Sequence, residues 1–331
     1  MEAYIPVRPE SVMGIPGVLA AVLFSGFAIA HLSPRWAARL LAWLSLPAAV
    51  GAADWIASAE PAGFRMLALI AAGFLAMKGI VAVEAATGVG PRLSLSRWLC
   101  FSLGWFGMRP EIFAGGRSRD ARGAPALLTR GFVNALWGAV LVALAALAAQ
   151  RFGLRLVATV ILLPGMSLIL HFGIMTALAG LWRLRGVDCG PLFRAPIASQ
   201  SLTEFWGRRW NLAFSEMTAM TVYRPLAARI GRRWALMAAF LFSGLLHEMA
   251  ISLPVRAGIG MPMLYFALHG VLVLVERELA RRGRALRGGY GRLWTLAWLA
   301  APLALVFHAP FLEGVLWPLI GLSAPPSAAG L

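Results

Sequence analysis

Apolar residues run along this chain in blocks of about twenty, separated by short segments that carry arginine. A helix that crosses about 30 Å of hydrocarbon needs about 20 mostly apolar residues. Eight stretches meet that description: 12–32, 40–58, 66–88, 127–149, 156–182, 234–254, 260–276 and 293–312. The pattern therefore predicts an all-α polytopic membrane protein of about eight transmembrane helices, forming one domain over residues 1–331. Two further stretches are too apolar for plain loops. Residues 93–116 mix Trp98, Phe101, Trp105 and Phe106 with Arg97 and Arg109, as an interfacial or re-entrant element does. Residues 201–230 open on a capping box, Ser201 with Glu204 three residues on, and predict a buried or re-entrant helix. On a continuous helix Trp206, Trp210, Ala213, Phe214 and Met217 share one face, with Gly207, Asn211 and Ser215 as a small polar strip beside it. Glu216, Arg224 and Pro225 argue against a full span there.

Composition agrees with a membrane protein. Hydrophobic residues make up 60% of the 331, and mean hydropathy is +0.75, more apolar surface than a soluble chain of this length hides. The formal charge of +16 comes almost wholly from arginine, Lys78 being the single lysine. On the eight-span reading, 24 arginines fall in loops on one side and 5 on the other. That asymmetry is the positive-inside signature. It places the long 3–4 and 5–6 loops in the cytoplasm and both termini on the non-cytoplasmic side, and an integral protein of a bacterial inner membrane is expected. The arginines sit between apolar spans, so anionic lipid headgroups or a phosphate-bearing substrate fit them, and nucleic acid does not. The acidic start, with Glu2 and Glu10, is unlike a secretory signal. Cys100 and Cys189 form no metal or redox pattern, so no metal and no resident cofactor are expected. The tail 323–331 is expected to be mobile.

Within this apolar frame, "SGLLHEMA" (243–250) sets His247 beside Glu248. His247 lies 15 residues beyond Arg232, ~22 Å deep at ~1.5 Å per residue. Ionisable groups at that depth cost ~2–3 kcal/mol each on insertion scales. Neighbours on a helix diverge by about 100°, so the two cannot serve one partner. An internal chamber with His247 on its wall satisfies both facts. A histidine there is a candidate general base toward a hydroxyl. Ser243 stands one turn before it and is expected to bond back to its own helix. No GxSxG elbow is present, so direct transfer without an acyl-enzyme is the simpler chemistry. Glu248 is expected to hold a neighbouring helix or orient the chamber wall. His31, His171 and His308 read as packing groups, Lys78 needs a partner inside the bundle, Glu84 suits the interface, and Asp54 suits the outer end of its span.

"SLTEFWGRRWN" (201–211), then "SGLLHE" (243–248), then "FALHGVLVLVE" (266–276), with "WFGMRPEIF" (105–113) upstream, resemble the wax-synthase branch of the membrane-bound O-acyltransferase family in order across about 95–280. The resemblance implies transfer of an acyl group from a coenzyme A thioester, as co-substrate, to a lipid hydroxyl. It implies that His247 is the catalytic residue and Asn211 its polar companion. Trp206, Arg208, Arg209 and Trp210 are then candidate substrate contacts, as are Ser243, Glu248, His269 and Glu276. The expected partners are acyl-CoA, a long-chain alcohol and membrane lipid. Diacylglycerol or sterol as acceptor, acetyl transfer to an exported acceptor, and a transporter relaying protons through His247, Lys78 and Glu84 stay open.

Overall fold

The computed structural model describes residues 2–86, 92–115 and 123–322. The described residues form helices and connections, with no strand. The 323–331 tail and Arg117, Arg119 and Arg122 of the arginine count lie outside them.

Three helices open the chain: α1 (Pro9–His31), α2 (Arg35–Ile56) and α3 (Ala62–Ala86). α3 packs against both others and is the most enclosed of the long helices. α4 (Leu95–Gly104) has ten residues, too few to span, as the interfacial reading expects. Its Trp98 and Phe101 point into the core. α5 (Ala124–Phe152) and α6 (Arg155–Leu184) form an antiparallel hairpin. The hairpin closes tightly because Gly138 has no side chain: a Cβ there would lie 2.7 Å from the Gly165 carbonyl oxygen. A π-helical stretch, Leu168–Ile174, interrupts α6.

The 201–230 segment is not the continuous helix its periodicity suggests. A helical turn, Leu202–Glu204, runs into a π turn, Phe205–Arg209, and the chain extends at Trp210. Asn211 then takes the left-handed conformation, φ +43°, and caps α7 (Leu212–Thr218), which another π turn joins to α8 (Arg224–Ile230). Asparagine tolerates that backbone better than other residues with a Cβ. Half of the capping box forms, the return bond of Glu204 going to the residue before the cap. Ser201 Oγ accepts from the Glu204 amide at 3.0 Å, and the Glu204 carboxylate accepts from the Gln200 amide at 2.8 Å.

α9 (Arg232–Val255) and α10 (Met261–Arg281) form the second tight pair. A π turn, Glu248–Ser252, interrupts α9 directly after His247, and one α-helical turn, Leu253–Val255, follows it. The predicted 293–312 span is bent instead: α11 (Gly288–Val306) and α12 (Ala309–Ile320) meet at 71°. His308 caps the second arm, its Nδ1 accepting from the Phe311 amide at 3.3 Å, and Pro310 follows. Six described helices are long and apolar enough to cross a membrane, or seven with the bent pair as one span. α10 occupies the predicted 260–276 position but carries Glu276, Arg277 and Glu278 near its end, so it falls outside that set.

Polar ties mark the two ends of the bundle. At the arginine-poor end Asp54 pairs with Arg65 at 3.2 Å and Arg256 at 3.4 Å, joining α2, α3 and the end of α9. At the other end Arg39 meets Glu84 at 2.8 Å. Between them Lys78, wholly buried, donates to the carbonyls of Phe101, Trp105 and Gly107 at 2.7–2.8 Å, and its Nζ lies 3.7 Å from the Phe101 ring centroid.

Candidate active site

A cavity of about 250 Å³ lies between the broken 203–223 segment, α9 and α10. Its walls are mainly aromatic and aliphatic: Trp206, Trp210, Phe214 and Tyr223 from the first, Leu236 and Phe240 from the second, Phe266 and Val273 from the third. A few polar groups converge on it: Thr203, Asn211, Ser215, Thr218, Ser243, His247 and Arg277. An apolar hollow with a few placed polar groups is the usual form of a small-molecule site.

His247 closes the regular part of α9. Its Nδ1 lies 2.7 Å from the Ser243 carbonyl oxygen. A carbonyl only accepts, so Nδ1 carries the proton, and the neutral ring has its lone pair on Nε2. No described residue bonds Nε2. The ring rests on Phe266, 4.2 Å between centroids, and meets Phe214 edge-on at 5.9 Å. Helix geometry thus sets the tautomer, and two phenyl rings set the plane. Ser243 Oγ donates to the Ala239 carbonyl at 3.0 Å, the expected back-bond, and is not bonded to His247.

Asn211 lines the same cavity as His247. Its Oδ1 accepts from the Phe214 amide at 3.3 Å, the N-cap bond of α7. That bond fixes the side-chain amide plane, and Nδ2 donates to no described residue. Gly207, Asn211 and Ser215 do all face the cavity, although not as one helical strip. Ser215 Oγ instead donates to the Trp206 carbonyl at 2.5 Å, tying α7 across the break.

Of the ten positions singled out from sequence, Trp206, Trp210, Asn211, Ser243 and His247 come together on this wall. The other five are engaged elsewhere or lie apart. Arg209 pairs with Glu204 at 2.6 Å and donates to the Arg194 and Ala195 carbonyls, so it braces the loop. Arg208 is exposed and off the cavity wall. Glu248 accepts from the Gly260 and Met263 amides at 2.9 and 3.0 Å, capping α10 as the neighbour-holding reading expects. His269 is wholly buried, Nδ1 donating to the Tyr265 carbonyl at 2.8 Å, with its ring edge-on to Trp206. Glu276 accepts from the Leu202 and Thr203 amides, the Thr203 hydroxyl and the Trp294 indole at 2.7–3.1 Å. It positions the segment that carries Trp206 and Asn211. Arg277 and Tyr223 are wall residues that the sequence reading missed. Arg277 had counted only toward the charge balance, although it directly follows Glu276 in the quoted motif.

Neither cysteine is on this wall. Burial, with the Asp188 carboxylate beside it, pushes the Cys189 thiol up to about 12, far from a usable nucleophile. Lys78 and Glu84, the other members of the proton-relay reading, are held by three carbonyls and by Arg39.

The sequence model of the membrane bound O-acyl transferase family matches residues 189–268. Two similar relatives are the long-chain-alcohol O-fatty-acyltransferase of Simmondsia chinensis, 39% identical over 100 residues, and the probable long-chain-alcohol O-fatty-acyltransferase 9 of Arabidopsis thaliana, 31% identical over 142. The matched stretches span 28% of this chain and 28% of the first relative, and 39% of this chain and 42% of the second. The matched segment, which holds both Asn211 and His247, is similar to the membrane bound O-acyl transferase family and to these long-chain-alcohol O-fatty-acyltransferases.

Proposed function

We propose that the protein transfers a fatty acyl group from acyl-CoA to the hydroxyl of a long-chain alcohol, giving a wax ester. The observation that carries this reading is the His247 ring, whose Nδ1–H is fixed to the Ser243 carbonyl and whose Nε2 is bonded by no described residue on an apolar cavity wall. Nε2 takes the hydroxyl proton as the alcohol oxygen attacks the thioester carbonyl. The bond from alcohol oxygen to acyl carbon forms, and the carbonyl electrons move to its oxygen. The Asn211 amide, with Oδ1 held by Phe214, supplies the donor for that oxyanion. Collapse expels the thiolate, which takes the proton back from the imidazolium. No acyl-enzyme is required, in keeping with the occupied Ser243 hydroxyl and the raised Cys189 thiol. The apolar walls suit the chain ends next to the reacting atoms and keep water from competing for the thioester. On this reading the arginine-rich end faces the cytoplasm of an inner membrane, where acyl-CoA is made.

The test supplies purified protein with palmitoyl-CoA and hexadecanol. Ester formation that depends on His247 supports the reading, and undiminished turnover by His247→Ala removes it. Diacylglycerol and a sterol in place of hexadecanol decide the acceptor.

A further inference from the structure

A second cavity of about 240 Å³ adjoins the first, and Thr203 and Arg277 line both. Leu279, Ala280, Ala285 and Leu286 give it an apolar side. Arg277 at the junction is exposed, and no described residue bonds or pairs with it. Its neighbours differ in this. Arg233, Arg281 and Arg282 all converge on Glu278, at 3.4, 3.1 and 2.8 Å. Glu276 beside it has both oxygens filled by the 202–203 amides, the Thr203 hydroxyl and Trp294. Glu276 also lines the second cavity, but its oxygens are turned to those donors, so the junction presents one guanidinium with no ion-pair partner among the described residues beside a largely apolar hollow, the chemistry of a subsite for an amphiphile with an anionic group.

Its distance from His247 narrows the ligand. The His247 ring packs on Phe266, and Arg277 stands 11 residues further along α10, ~16 Å at ~1.5 Å per residue. In a phosphopantetheine thioester about thirteen bonds separate the sulfur from the phosphorus. At the ~1.1–1.2 Å per bond of an extended chain these reach ~15 Å. We infer that Arg277 and the second cavity form the subsite for the phosphate-bearing arm of the thioester donor, so that α10 acts as a ruler between the phosphate and the reacting carbonyl. The inference rests on the acyl-CoA reading of the site. The phosphate of a lipid headgroup shares the charge but not a thioester held ~15 Å away.

The experiment compares wild type, Arg277→Gln and Arg277→Lys in phosphatidylcholine nanodiscs of no net charge. Each receives palmitoyl-CoA or the palmitoyl thioester of N-acetylcysteamine, which has the same reacting group and no phosphate. Arg277→Gln is expected to lower kcat/KM for palmitoyl-CoA relative to the phosphate-free donor about tenfold, the scale of one charge-assisted hydrogen bond, with Lys recovering part of it. An equal fall with both donors assigns Arg277 to cavity shape and overturns the inference. So does no change with either, or an effect seen only in nanodiscs of anionic lipid. If wild type turns over neither donor, the proposed activity fails, and binding of free CoA then judges the subsite. About tenfold weaker binding in Arg277→Gln supports it, and absent or unchanged binding overturns it.

Discussion

Lys78 and His247 are both ionisable groups set within long apolar helices, yet the two regions treat them in opposite ways. Around Lys78 three backbone carbonyls, from the end of α4 and the turn after it, take all three ammonium hydrogens. Nothing is left over, and the side chain is wholly enclosed. Around His247 one carbonyl takes one ring proton and the second nitrogen is left at a cavity wall. A satisfied donor set makes a clamp. A half-satisfied ring on a cavity wall leaves a nitrogen within reach of a bound molecule. The polar residue alone does not separate the two outcomes; its partners and its access to the cavity do, since His269 makes the same single carbonyl bond but is wholly enclosed.

This contrast is sharpest in substitutions that separate rate from stability. His247→Ala is expected to lower kcat about a thousandfold, within the ~10²–10⁴ of general-base catalysis, with little change in melting temperature. A large loss of stability there would place His247 with Lys78. Lys78→Met is expected to do the reverse. It leaves three buried carbonyls without donors and lowers stability by about 2–4 kcal/mol, read by thermal unfolding in detergent, while kcat per folded molecule holds. Asn211→Gly tests a residue that belongs to both classes. Glycine accepts φ +43° and loses only tenths of a kcal/mol as a cap, so a kcat fall of about a hundredfold reports the missing amide donor. If Gly retains activity, Asn211 is a cap alone. Glu276→Gln keeps the shape but puts an NH₂ where the carboxylate accepts bonds from Leu202, Thr203 and Trp294. A fall of about tenfold in kcat, with hexadecanol KM little changed, is expected from a loosened wall. Glu248→Gln is the smallest step: its remaining carbonyl still accepts from the α10 amides, and the lost charge at that helix start is worth about 0.3–1 kcal/mol.

Where sequence reasoning held, it rested on local rules. Hydropathy located α1–α3, α5, α6 and α9 because each helix satisfies its own backbone and shows lipid or neighbours an apolar face. The Ser201 cap formed as read, since its partner, the Glu204 amide, lies three residues on, while the Glu204 carboxylate reached Gln200 in place of Ser201. His247 stood out because its depth along one helix is a one-dimensional quantity. The break at Trp210 did not stand out. Apolar spacing through 206–217 is the same for an intact helix and for two short ones joined by an asparagine cap, and Ser215 bonding to Trp206 favours the second. The bend at His308 was hidden for the same reason, in a stretch apolar enough to read as one span.

The amino-acid order alone determined the membrane class, the positions of α1–α3, α5, α6 and α9, and the histidine set within α9. Each follows from composition or from contacts a few residues apart. Tertiary structure decided which polar groups are used up and which are left free. Glu276 meets Leu202 across 74 positions, Lys78 meets Gly107 across 29, and Arg277 shares two cavities with Thr203. In an apolar interior each buried donor or acceptor finds whatever partner the packing of distant segments brings, so its role is a property of the assembled helices.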